Sequence, residues 1–153
     1  MSAELPSIFS THNLHRRAME LLTPAARVQV ASEPSRNAIL SEGRFAEVII
    51  VRAPLPPQLF EAADRLRAVI RHGAGLDMIP VEEATRAGVL VANVPAVNAS
   101  SVAEYVIFAA IALLRRFRLV DRDLRTGGWN AGRAHADFGI ELTGRRLGIV
   151  GMG

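Results

Sequence analysis

Residues 91–104 read Val-Ala-Asn-Val-Pro-Ala-Val-Asn-Ala-Ser-Ser-Val-Ala-Glu, and the change of character within them sets the organisation of the whole chain. Residues 89–92 have the composition of a buried strand, and Pro95 bars a helix from starting before it. Asn98 to Ser101 offers helix-capping side chains, and Ser101 with Glu104 three residues later forms a capping-box pattern. A strand end, a polar loop and a helix start in such quick succession turn backbone N–H groups toward open space. The plainer alternative is an ordinary strand-to-helix loop.

Upstream of this stretch the pattern alternates between strand and helix periods. Residues 7–10, 27–31, 47–52 and 68–71 read as strands, the third carrying Val48-Ile49-Ile50-Val51, a run that suits a strand buried on both faces. Helices are expected over 14–22, 34–43, 56–66 and 80–87. The third places Leu59, Ala62, Ala63 and Leu66 at helical spacing; the fourth has Glu82 and Glu83 in its first turn and Gly88 as its stop. Strands alternating with short helices imply βαβ units and a parallel sheet with helices on both faces.

Downstream, 102–120 is apolar on nearly every face up to Arg115, so this helix needs a cover, either a partner subunit or a second domain. Charged residues at 121–125 continue it and Thr126-Gly127-Gly128 ends it. Residues 129–141 have no clear period and read as an exposed connection. Thr143-Gly144 makes a turn, and 146–150 begins a new buried strand.

Composition narrows the function classes. With 153 residues, half of them hydrophobic, the chain has material for one domain or one and a half. Without cysteine it has no disulfide framework, thiolate metal site or cysteine nucleophile, which fits a reducing compartment. The net charge of +3 comes from arginines spread over many segments, so no nucleic-acid surface is expected. No basic-then-apolar leader opens the sequence, and the longest apolar run, 105–114, is about half of what a bilayer crossing needs. A cytoplasmic protein without membrane partners is expected.

Three motifs can carry chemistry. Residues 147–150 followed by Gly151-Met152-Gly153 open a dinucleotide-binding turn, in which the first glycine permits the bend and the second lets a pyrophosphate approach; a plain glycine tail is the alternative. Arg71-His72-Gly73-Ala74-Gly75-Leu76-Asp77 follows a parallel strand, and its two glycines allow successive N–H groups to face one anion; a tight turn is the alternative. His72 is a candidate acid–base group, though a lone histidine at a strand end is more often structural. Arg52 ends the 47–52 strand near the same edge, where a guanidinium takes a carboxylate or phosphate in bidentate fashion; a surface arginine is the alternative.

Taken in order, Val51-Arg52-Ala53, 71–80, 87–95, 98–104, Gly127-Gly128-Trp129-Asn130 and 142–153 resemble the D-isomer-specific 2-hydroxyacid dehydrogenases, in their phosphoglycerate dehydrogenase-like branch. The resemblance implies an α/β fold, with a flavodoxin-like parallel sheet as substrate domain over 1–97. An interdomain and dimer helix, and the first strand of a Rossmann nucleotide-binding domain that is cut off, would then occupy 98–153. It implies that Ala74 and Gly75 offer N–H groups to a substrate carboxylate, and that Arg52 and Asn98 face the substrate. Val102 would pack near the nicotinamide ring, with Gly151 and Gly153 against the pyrophosphate. The implied cofactor is NAD, with NADP equally compatible, and the implied substrate a small 2-hydroxy or 2-keto acid of phosphoglycerate or hydroxypyruvate type. A homodimer would form through 102–120. The family's catalytic arginine, glutamate and histidine follow the glycine-rich turn, so no catalytic residue and no metal ligand is expected here. None of His12, His15, His72 and His135 matches the catalytic histidine, and Ala53 stands where some phosphoglycerate dehydrogenases have serine. The expectation is the N-terminal part of an NAD-dependent oxidoreductase, inactive by itself. The alternative is a non-catalytic dimerisation or binding module related to the family.

Overall fold

The structure, a computed structural model, describes residues 4–151. The chain divides into two compact units, Met1–Ala96 and Val97–Gly153.

The first unit is built on five parallel strands: β1 (Ser7–Ser10), β2 (Arg27–Val30), β3 (Val48–Val51), β4 (Ala68–Arg71) and β5 (Leu90–Ala92), in the order β2-β1-β3-β4-β5. The connecting helices are α1 (Arg16–Leu22), α2 (Arg36–Gly43), α3 (Leu59–Ala62) and α4 (Val81–Arg86). Right-handed crossovers place α1 on one face, because β1 to β2 runs opposite to every later step, and α2 to α4 on the other. Phe9, Ile39, Ile49, Val51, Leu59 and Val69 are fully buried and form the centre of the core. At Gly43 a Cβ would lie 3.0 Å from the Phe9 ring, so α2 seats closely on β1 only because that side chain is missing. Local chemistry starts the helices: Ser35 Oγ accepts from the Ala38 N–H at 3.2 Å, and His15 Nδ1 accepts from the Arg17 N–H at 3.2 Å.

Two expectations for this unit change. The helix expected over 56–66 is a single turn, yet Leu59, Ala63 and Leu66 are buried as a helix would bury them. The expected buried strand 89–92 is the sheet edge: Val89 is buried, while Leu90 on the edge strand is 73% exposed.

The second unit begins with α5 (Ala99–Leu114). Its N-cap is Asn98, whose side chain makes no capping bond, and Ser101 lies inside the first turn, so the expected capping box is not used. The helix expected over 102–120 breaks at Arg116, which takes a left-handed conformation at φ 53°, and α6 (Phe117–Arg133) follows. The break returns Phe117 to Phe108, ring edge to face at 6.3 Å. Within α6, Gly128 has φ 72° and ψ −169°, a region essentially reserved for glycine, so the expected stop is a kink. Beyond it the chain resumes as helix to Arg133 instead of forming a loose connection, and Gly132 packs against Leu124. Residues 145–149 form no ladder with any described strand, and Val150 is fully exposed. A strand exists by pairing, and the described residues supply no neighbour for it. α5 buries none of its residues: Val102, Tyr105, Ile107, Phe108 and Leu113 are all exposed. No helix among the described residues is long and apolar enough to cross a membrane.

Candidate functional site

All strands of a parallel sheet present their carboxyl ends on one edge, and ligands of open α/β sheets settle there, at the point where strand order reverses. In this sheet that point lies between β1 and β3. Thr11, one residue past β1 and 1% exposed, holds it together: its Oγ1 accepts from the Arg52 N–H at 2.8 Å and the Ala53 N–H at 3.0 Å. One hydroxyl therefore satisfies both amides where β3 bends away, and it fixes the exit direction of Arg52. The Arg52 guanidinium is exposed and touches the Asn13 carbonyl at 3.5 Å.

Next to it, β4 pairs with β3 in a register that sets Arg71 beside Val51. The Arg71 side chain turns back over its own loop: Nη1 donates to the Val51 carbonyl at 3.1 Å and to the His72 carbonyl at 3.0 Å. Its guanidinium fills the space a Cβ on Gly73 would need, at 3.3 Å. From the opposite flank, the Val94 N–H donates to the Gly73 carbonyl at 3.0 Å, and Asn93 Nδ2 donates to the Ala74 carbonyl at 2.7 Å.

The direction of the loop's N–H groups follows from these ties. Every described peptide is trans, and in a trans peptide the N–H points opposite to the C=O. With the Gly73 and Ala74 carbonyls held toward residues 93–94, the N–H groups of Ala74 and Gly75 face away from them. Among the described residues neither donates to any backbone carbonyl. Two successive free amides form a concavity suited to an anion. Asp77 places a carboxylate oxygen beside Gly75, 2.7 Å from where a Cβ would be. Two buried nitrogens without a partner, His12 Nδ1 and Arg71 Nε, belong to residues at the ends of β1 and β4, so the edge is polar as well as open.

The structure thus brings Arg52, Ala74 and Gly75 to adjacent strand ends of one edge. Asn98 and Val102 stand one helical turn apart at the start of α5, the Val102 N–H donating to the Asn98 carbonyl at 2.9 Å, and both side chains are exposed. Gly151 has φ 79° and nothing near its Cβ position. Gly153 lies outside the described residues. His72 is exposed at the rim of the loop with its carbonyl bound by Arg71. Thr11, Arg71 and Asn93 were not among the expected site residues. A threonine or an asparagine just after a strand carries no signal until the pairing of β1, β3, β4 and β5 is known.

The second unit holds a cavity of about 300 Å³ whose walls include Phe117, Val120, Leu124, Trp129 and His135. It is a gap in helix packing, contains none of the residues at the sheet edge, and is not where an open α/β sheet binds its ligand. Beside it the His135 Nε2 meets Asp123 Oδ2 at 2.6 Å. Arg122, chiefly, and then His135 hold the Asp123 carboxyl well below the usual carboxylate range.

Comparison with known proteins finds relatives of this fold. Residues 8–141 match the family model for the D-isomer specific 2-hydroxyacid dehydrogenase, catalytic domain. The chain is 33% identical to a D-3-phosphoglycerate dehydrogenase of Methanocaldococcus jannaschii, over 95% of this chain and 28% of that protein. It is 30% identical to a glyoxylate reductase of Korarchaeum cryptofilum, over 97% of this chain and 46% of that one. Among solved structures, it matches an NADPH-dependent glyoxylate/hydroxypyruvate reductase from Sinorhizobium meliloti, in complex with NADP and malonate. That match has a TM-score of 0.80 at 27% identity and covers 98% of this chain and 47% of the other. The chain therefore spans less than half the length of these relatives.

Proposed function

Because the chain belongs to the D-isomer specific 2-hydroxyacid dehydrogenase family, we propose that it is the substrate-binding, N-terminal part of an NAD(P)-dependent oxidoreductase. The substrate is a small 2-hydroxy or 2-keto acid, of phosphoglycerate or hydroxypyruvate type. Residues 1–97 serve as the substrate domain, and 98–153 as the interdomain and dimer helix with the start of the NAD-binding domain.

The observation that carries this reading is the pair of unclaimed N–H groups at Ala74 and Gly75, flanked by the exposed Arg52 guanidinium. The amides take one carboxylate, and Arg52 adds a charge-assisted contact from the neighbouring strand end. Holding the carboxylate fixes the C2 carbon, and orientation of this kind is what the protein contributes when a cofactor carries the redox chemistry. Asn98 faces the substrate and Val102 the nicotinamide ring. Gly151, in a left-handed conformation with free space beside it, fits the close approach of a pyrophosphate; Gly153, outside the described residues, is assigned to the same pyrophosphate on the family resemblance alone. A bound nicotinamide supplies or accepts the hydride at C2. The 153 residues by themselves hold no catalytic histidine and turn over no substrate. The apolar surface of 102–120 pairs two copies.

The test is a titration of the 15N-labelled chain with oxamate, an unreactive isostere of 2-keto acids. The Ala74 and Gly75 amide signals shift together and saturate, and Arg52→Met weakens binding about tenfold. Amides at 74 and 75 that stay still up to millimolar oxamate, or an Arg52→Met variant that binds as the parent does, would sink the proposal.

A further inference from the structure

We infer that Asn93 is a positioning residue for the anion-binding loop: its side-chain amide, by holding the Ala74 carbonyl, sets the direction of the Gly75 N–H. The idea rests on the carboxylate reading above for its functional meaning, while its structural content stands on the hydrogen bonds alone.

The loop's ties differ in kind. The base is clamped by Arg71, with Nη1 on two carbonyls and the guanidinium against Gly73. The peptide joining Gly73 to Ala74 is fixed by a backbone donor, the Val94 N–H at 3.0 Å, which any residue except proline at 94 would supply. The peptide joining Ala74 to Gly75 is held at its carbonyl by a side chain, Asn93 Nδ2 at 2.7 Å. A peptide beside glycine rotates at little steric cost, so without the carboxamide that plane is free to turn. Its N–H would then no longer converge with that of Ala74. Two amides bind a carboxylate together only while they converge, so the second half of the nest depends on the residue after β5.

Asn93 is exposed, so its replacement leaves the core untouched and the variants fold. Asn93→Ala removes the donor. Asn93→Asp keeps the shape and replaces the donor with a carboxylate oxygen facing a carbonyl, which repels it. The experiment reads two quantities on the 15N-labelled chain: the orientation of the Ala74 and Gly75 N–H vectors from residual dipolar couplings without ligand, and the affinity for oxamate. In Asn93→Ala the Gly75 vector reorients while that of Ala74 holds, and affinity falls about fivefold, the usual worth of one neutral hydrogen bond. Asn93→Asp loses more, and the thermal midpoints of both variants stay with the parent's. Unchanged Gly75 couplings in both variants overturn the inference whatever happens to affinity. Reoriented Gly75 with unchanged oxamate affinity leaves the positioning intact and removes the carboxylate reading instead. So does a parent chain that fails to bind oxamate.

Discussion

Thr11 illustrates how much one buried hydroxyl can decide. It accepts two amides at the point where β3 leaves the sheet. With the side chain replaced by an apolar group of the same shape, the buried Ala53 amide is stranded away from water and the half-buried Arg52 amide loses its partner. Thr11→Val therefore destabilises the first unit by about 1–3 kcal/mol, on the scale of one buried donor left unpaired, and Thr11→Ser recovers most of the loss. Urea unfolding followed by circular dichroism measures this; a valine variant as stable as the parent would show that the hydroxyl is dispensable. At this scale the sequence was only partly legible. Arg52, Ala74 and Gly75 were visible through the resemblance of their motifs to the family; by local pattern alone an arginine at a strand end also reads as a surface side chain, and glycines after one as a tight turn. Thr11, Arg71 and Asn93 act through partners 41, 20 and 19 residues away in sequence, and no local pattern encodes a partner that the fold supplies.

At the scale of elements, strands β1 to β5 were readable because apolar runs between turn residues have one good solution in an α/β chain. The helices after Asn98 were less so. Their apolar pattern reports that a surface is to be covered, not where the axis bends, and the bends fall at Arg116 and Gly128. The two arms of the Gly128 kink are tied by Asp123, on α6 before it, and His135, just beyond its end. Asp123 titrates well below its ordinary 3.8, first because of Arg122 and then because of His135. A carboxyl whose folded value is depressed adds stability above its unfolded value, and that contribution drains away as pH falls toward the folded one. Thermal midpoints measured from about pH 5 down to about pH 2 accordingly drop more steeply for the parent chain than for Asp123→Asn, with the divergence opening below about pH 4. Parallel curves would mean that the pair contributes nothing to holding the Gly128 kink. The strand expected over 146–150 failed for a different reason: its residues have the right composition, but 145–149 form no ladder with any described strand.

For the whole molecule, the contrast between the units is the main energetic fact. The first has a core of fully buried apolar residues, while α5 buries none of its own and leaves Tyr105, Ile107, Phe108, Ile111 and Leu113 to solvent. A continuous apolar face of that kind marks a surface with a partner, and pairing of two copies was proposed above. Light scattering at micromolar concentration is then expected to report twice the chain's mass. Ile107→Glu with Ile111→Glu shifts it to the monomer while the far-ultraviolet helix signal persists; a monomeric parent chain would leave this face to another partner. The strand order adds something about assembly in time. β1 must wait for β2 and β3, but from β4 onward each strand pairs with the one made just before it. A ribosome delivers the chain from its N-terminus at about 5–20 residues per second, so the sheet grows outward in the order of synthesis. Its last strand and Asn93 leave the ribosome before the sticky helix does, so a nascent chain meets its most aggregation-prone segment only after all five strands of the sheet are available to pair.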